Sequence, residues 1–171
     1  GIGIKILRQD LFETIITFII SQRNNMTRIR NTVNNLSMYG QTINFEGFKI
    51  NLFPTPEEMS EINLDDFKLG YRKEYIESFI NDILNKKFSL DLLKTMNNNE
   101  ALNYLMKVKG IGIKVASCIM LFGMHRLNVF PVDTWMKKII NEKYNGNINI
   151  KAYQPYAGII QQYMFYNVTH S

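Results

Sequence analysis

Apolar residues recur along the chain at three- and four-residue spacing, the period of helices with one face turned inward. The densest run is Leu11, Phe12, Ile15, Ile16, Phe18, Ile19 and Ile20, apolar nearly all round. Asp10 and Glu13 give it a capping-box start, so this helix is expected at the centre of the core. A second helix is predicted from about Asn25 to Tyr39, with Met26, Ile29, Val33 and Leu36 as its inner stripe and Gly40 as its stop. Thr55, Pro56 and Glu58 mark the next start, and Gly70 punctuates a short helix after Leu64. Ile76, Phe79, Ile80, Ile83 and Leu84 then place a long amphipathic helix between Tyr71 and about Lys87, and Ser89 caps a short one. Helices over Asn98 to Met106, Ile113 to Phe122, Thr134 to Lys143 and Pro155 to Tyr166 bring the expected number to eight or nine. Strand-like alternation is confined to Ile148–Ile150, so the predicted fold class is all-α.

Composition narrows this picture. The chain has 171 residues, 46% of them hydrophobic, enough for one sizeable core. Twenty Lys and Arg against fifteen Asp and Glu give a net charge of +5, which favours a polyanionic partner. The single cysteine, Cys118, forms neither an internal disulfide nor a four-thiolate cluster, and it points to an intracellular setting. Leu11–Ile20 is too short to span a bilayer and lacks a cleavage-type pattern after it, so no membrane partner is expected. The chain opens on Gly1 rather than Met, which suggests processing or an upstream region.

The segment Leu105-Met-Lys-Val-Lys-Gly110-Ile-Gly112-Ile-Lys114-Val-Ala116 carries the chemistry. A helix ends, two glycines bracket one apolar residue, and another helix begins: a helix-hairpin-helix pattern. Gly110 and Gly112 permit tight backbone geometry, Ile111 packs between the helices, and free amides at the start of the second helix suit a phosphate oxygen. A glycine-containing turn between core helices explains a lone Gly-X-Gly equally well. Lys114 stands in the first turn of the second helix, where the helix dipole opposes its charge. As a nucleophile it must lose its proton, which takes burial or neighbouring charge; a phosphate-contacting lysine is the plainer role. Downstream, Phe130-Pro131-Val132-Asp133-Thr134-Trp135-Met136 delivers Asp133 to a helix start. Capping alone accounts for that aspartate, yet capping also anchors a carboxylate that can face developing positive charge.

Gly-Ile-Gly-Ile-Lys-Val-Ala followed by Pro-Val-Asp resembles the helix-hairpin-helix DNA glycosylases, and within them the 8-oxoguanine DNA glycosylase branch. Further matching pieces are Leu7–Asp10, Ser21–Ile29, Leu69-Gly70-Tyr71-Arg72 and Tyr156-Ala157-Gly158, so the resemblance runs from about Gly3 to Phe165. It implies a two-lobed helical fold with the hairpin, at about 105–116, facing the cleft between lobes. The division expected is 1–127 for the first lobe and 128–171 for the second, folding as one cooperative unit. The resemblance implies base excision from duplex DNA, with Lys114 attacking the sugar C1′ to form a Schiff base and Asp133 stabilising the sugar cation. Tyr71 resembles the wedge beside the opposite base. Arg72 and Arg28 resemble the groups that hold the orphaned cytosine, with Asn24 or Asn25 assisting. Cys118, Gln161 and Phe165 resemble the residues around the extruded oxidised guanine.

The expectation is therefore a monomeric, intracellular glycosylase and abasic-site lyase, in the cytoplasm or nucleoid of a bacterium or the nucleus of a eukaryote. It acts on 8-oxoguanine opposite cytosine without a cofactor. A cation on the backbone carbonyls near Val108 and Gly110 is allowed by analogy but not required. Two rivals stand beside it: a glycosylase for another oxidised or ring-opened base, and a non-catalytic helix-hairpin-helix module that grips DNA. Arg23 occupies the place of an asparagine, and Trp135 the place of a histidine, in eukaryotic members of the family. The family's N-terminal strand-rich domain has no counterpart before Gly3, which suggests the catalytic part of something longer or a pared-down relative.

Overall fold

A computed structural model of the chain describes residues 3–169. Among these residues there are nine α-helices, two short 3-10 turns and a single two-stranded hairpin. Helix α1 (Leu11–Ser21) is capped by Asp10, whose side chain accepts from the Glu13 amide at 2.9 Å. Its apolar pairs repeat each turn, and Leu11, Phe12, Ile15, Ile16, Ile19 and Ile20 are all buried. Packed around α1 are α2 (Met26–Ser37), α4 (Arg72–Leu84) and α7 (Ile113–Phe122). Phe12 stacks on Phe79 of α4 at 6.0 Å, and Phe18 on Phe122 of α7 at 5.9 Å. The expected central helix is thus the centre of the core. On α2 the stripe is shorter than its spacing predicts: Leu36 is buried, but Met26 is 64% exposed beside the Asn25 cap.

Local cap chemistry sets the remaining boundaries. Thr55 and Glu58 form both bonds of a capping box at α3 (Pro56–Ser60). Ser89 caps α5 (Leu90–Thr95), and Asn97 with Glu100 boxes the start of α6 (Asn98–Leu105). The strand expectation needs correcting. Ile148–Ile150 forms no strand; it leads into a 3-10 turn at Ile150–Tyr153. The strands are β1 (Thr42–Phe45) and β2 (Phe48–Asn51), paired antiparallel with Phe45 opposite Phe48. Glu46 and Gly47 join them at φ 48° and 85°, the two-residue turn that matches strand twist.

Two hydrophobic clusters underlie the two-lobed form. The larger gathers α1 through α7, and the smaller joins Phe130, which precedes α8 (Thr134–Tyr144), to Met136 and Ile139 of α8 and Ala157 of α9 (Ala157–Thr169). Where α9 meets the larger lobe, the Gly158 amide donates to the Leu127 carbonyl at 2.7 Å. A methyl group on Gly158 would lie 2.4 Å from Leu121 Cδ1 and 2.5 Å from the Val129 carbonyl oxygen, so this approach admits hydrogen alone.

Candidate active site

The hairpin between α6 and α7 is built on Gly110, whose φ of 84° lies in the left-handed region. A Cβ there would penetrate the Tyr75 ring at 2.2–2.8 Å. Ile111 is buried, and its amide donates to the Val108 carbonyl at 3.0 Å. Gly112 is the N-cap of α7, in extended conformation, and supplies no side chain to the first-turn amides. Nothing lies within 4 Å of the place its Cβ would take, so the space in front of α7 is open to an incoming group.

Lys114, the second residue of α7, is exposed along the wall of a cleft of about 710 Å³. Asp133, Thr134, Trp135 and Lys137 line it from α8, and Gln22, Arg23 and Asn24 from the end of α1. Asp133 is half-buried and caps α8, its Oδ1 accepting from the Met136 amide at 2.8 Å. That bond fixes the carboxylate at the cleft while Pro131, buried behind it, sets the extended approach. Trp135, half-exposed, gives the polar cleft its one large flat surface among the lining residues. The nucleophile and carboxylate candidates therefore stand at the starts of two helices that face one space.

Cys118 lies one turn below Lys114 on α7, only 7% exposed. Burial pushes its thiol up to about 11; the Lys114 charge opposes that shift and the Asp133 charge reinforces it, so both groups are close enough to be felt. Gln161 is buried on α9 with its Oε1 accepting from Gln162 Nε2 at 2.6 Å, and Phe165 follows one turn later, half-buried. Cys118, Gln161 and Phe165 are not among the residues that line the cleft.

Outside the residues that line this cleft, Tyr71 is 45% exposed at the start of α4. It packs edge-on against Tyr75 at 5.5 Å, and the Arg72 guanidinium lies 4.7 Å from its ring centre. Arg72 is buried, and its donors are spent on main-chain carbonyls: Nε on Gln22 at 2.8 Å, Nη2 on Gln22 and on Arg23 at 3.0 Å, Nη1 on Leu69 at 3.2 Å. Arg28 is exposed and donates to the Lys68 carbonyl. Asn24 bonds the Ile20 carbonyl at 3.1 Å and receives the Asn25 amide, while Asn25 caps α2 by accepting from the Arg28 amide at 2.9 Å. Of the residues that line the cleft, Gln22, Val115, Val132, Thr134 and Lys137 carried no expected role. Gln22 lay inside the matched Ser21–Ile29 stretch, which was the available signal. The hairpin carbonyls named for an optional cation are both engaged within the protein, Val108 by the Ile111 amide and Gly110 by Gln22 Nε2 at 3.0 Å.

No family model matches the chain. The N-glycosylase/DNA lyase of Saccharomyces cerevisiae is 32% identical over 163 residues, covering 86% of this chain and 43% of that protein. The N-glycosylase/DNA lyase OGG1 of Arabidopsis thaliana is 30% identical over 187 residues, covering 95% and 51%. The solved structure of Clostridium acetobutylicum 8-oxoguanine glycosylase/lyase, in complex with double-stranded DNA containing cytosine opposite 8-oxoguanine, superimposes with a TM-score of 0.85 at 35% identity, over 98% of this chain and 62% of that one. The chain belongs to the helix-hairpin-helix DNA glycosylases, in the 8-oxoguanine glycosylase/lyase branch. It spans about half the length of the curated glycosylase/lyases it matches. Its likeness to this glycosylase branch covers both lobes and the cleft between them. No helix among its described residues is long and apolar enough to cross a membrane.

Proposed function

We propose that this chain is a bifunctional DNA glycosylase and abasic-site lyase that removes 8-oxoguanine, preferentially opposite cytosine, from duplex DNA. The observation that carries the reading is the pair Lys114 and Asp133, brought from α7 and α8 to one open cleft. The Lys114 amine attacks C1′ as the N-glycosidic bond breaks, and the base leaves with the bonding pair and a proton. The Asp133 carboxylate, held by the α8 amide, stabilises the positive charge that grows on the sugar. Ring opening leaves a Schiff base between Nζ and C1′; loss of a C2′ proton then expels the 3′-phosphate, and water releases the lysine.

Access to C1′ requires the nucleotide to leave the stack. Tyr71, exposed at the rim, serves as the wedge, and Arg28 meets the orphaned cytosine with Asn24 or Asn25 beside it. Arg72, its donors already engaged, contributes by holding Tyr71 and the Gln22–Arg23 loop in place. Cys118, neutral at physiological pH, forms with Gln161 and Phe165 the recess that receives the base. Gly110 and Gly112 bring the α7 amides to a backbone phosphate. The chain works as a monomer, with 1–127 and 128–171 as one cooperative unit, in whichever intracellular compartment holds the DNA.

Borohydride trapping on abasic duplex tests the chemistry. The wild type is expected to give a covalent adduct and Lys114→Gln none, with duplex binding largely retained. A wild type without adduct would leave only a DNA-gripping module. Excision from duplexes bearing 8-oxoguanine or a ring-opened purine, run in parallel, tests the lesion. Faster release of the other base overturns the assignment to 8-oxoguanine while keeping the glycosylase.

A further inference from the structure

Gln22, which lines the cleft, is bonded both to the start of α4 and to the hairpin that launches α7. It sits just past the end of α1 in extended conformation, and Arg23 follows at φ 48°, so the chain reverses there. That reversal turns the Gln22 carbonyl toward α4, where it accepts from Tyr71 Oη at 3.3 Å, from Arg72 Nε at 2.8 Å and from Arg72 Nη2. The side chain runs the other way, and Nε2 donates to the Gly110 carbonyl at 3.0 Å. Gly110 is thereby gripped twice, on its carbonyl by Gln22 and on its α-carbon by the Tyr75 ring, which itself packs on Tyr71. Lys114 follows four residues later, in the first turn of the helix that the hairpin launches.

We infer that Gln22 is a positioning residue for the proposed reaction: its carboxamide ties the Tyr71–Arg72 wall to the hairpin and so sets the distance between wedge and nucleophile. This rests on the lyase reading given above. The backbone half of the link survives any substitution at Gln22, whereas the side-chain half depends on one N–H donor. In the proposed complex duplex DNA meets the wedge and the nucleophile together, so their spacing governs its reaction. An abasic single strand has no opposite base to engage Tyr71 and needs the nucleophile alone.

The test uses the full chain, with Gln22→Glu, which keeps shape but puts an acceptor against the Gly110 carbonyl, and Gln22→Met, which removes the donor without adding charge. Rates of borohydride trapping are measured on an abasic duplex and on the same abasic strand alone, with thermal melting of each protein. In both variants the duplex rate is expected to fall about tenfold, the scale of one lost hydrogen bond, with the single-strand rate within about twofold of wild type. Equal loss on both substrates, or an unchanged duplex rate, overturns the inference. Should Gln22→Glu fail to fold, Gln22→Met alone decides between these outcomes. A wild type that traps on neither substrate overturns the lyase reading, and the inference with it.

Discussion

Asp133 carries two demands on one carboxylate, and they separate chemically. Its Oδ1 caps α8, and asparagine is as good a cap as aspartate. Asp133→Asn therefore keeps the bond to the Met136 amide while removing the charge from the cleft. The expected outcome is a loss of about a hundredfold in the single-turnover rate of base excision, of the order seen when one preorganised electrostatic contact is removed, with little change in melting temperature. A parallel loss of rate and stability would make the residue a cap alone. At this scale the sequence singled out Lys114 and Asp133 where chemistry and spacing coincide, and the fold brings both to a common cleft. It was not legible at Arg72. Besides Leu69, the carbonyls that engage this guanidinium belong to Gln22 and Arg23, about fifty positions away, and main-chain acceptors leave no mark on side-chain identity.

Among the elements, the two glycines of the hairpin do different work although they look alike in sequence. Gly110→Ala places a Cβ at positive φ and into the Tyr75 ring. It is expected to cost about 2–4 kcal/mol by chemical denaturation, combining backbone strain with overpacking. Gly112→Ala meets open space at ordinary φ and is expected to cost about 1 kcal/mol or less, chiefly as a poorer cap. Its larger effect is expected on duplex affinity, because the added methyl stands where the proposed phosphate contact with α7 would form. Similar stability losses in the two variants would contradict this division. Helices were readable because caps such as Thr55 with Glu58 and the paired isoleucines of α1 write their position locally. The β1–β2 hairpin was missed for the opposite reason. Only Ile43 of its eight residues is even partly covered, so no buried face imposed the alternation by which strands are recognised, and the Glu46-Gly47 turn stood alone as a signal.

For the molecule as a whole, four of its cations stand where the proposed DNA would lie: Arg23, Lys114 and Lys137 line the cleft, and Arg28 is exposed on the adjacent helix. Each phosphate neutralised contributes about −0.9 to the slope of log affinity against log salt. Duplex binding measured by anisotropy between low and physiological salt is expected to show a slope of about −3 to −4, and a flat dependence would remove these cations from the interface. The second lobe meets the first at Gly158, where hydrogen is the largest substituent that fits. That contact acts as a depth stop. Gln161 and Phe165 lie three and seven residues beyond it on a rigid rod that advances about 1.5 Å per residue. Their reach toward the proposed recess is thus machined from a fixed datum, and any tolerance lost at Gly158 displaces both residues together as a single offset.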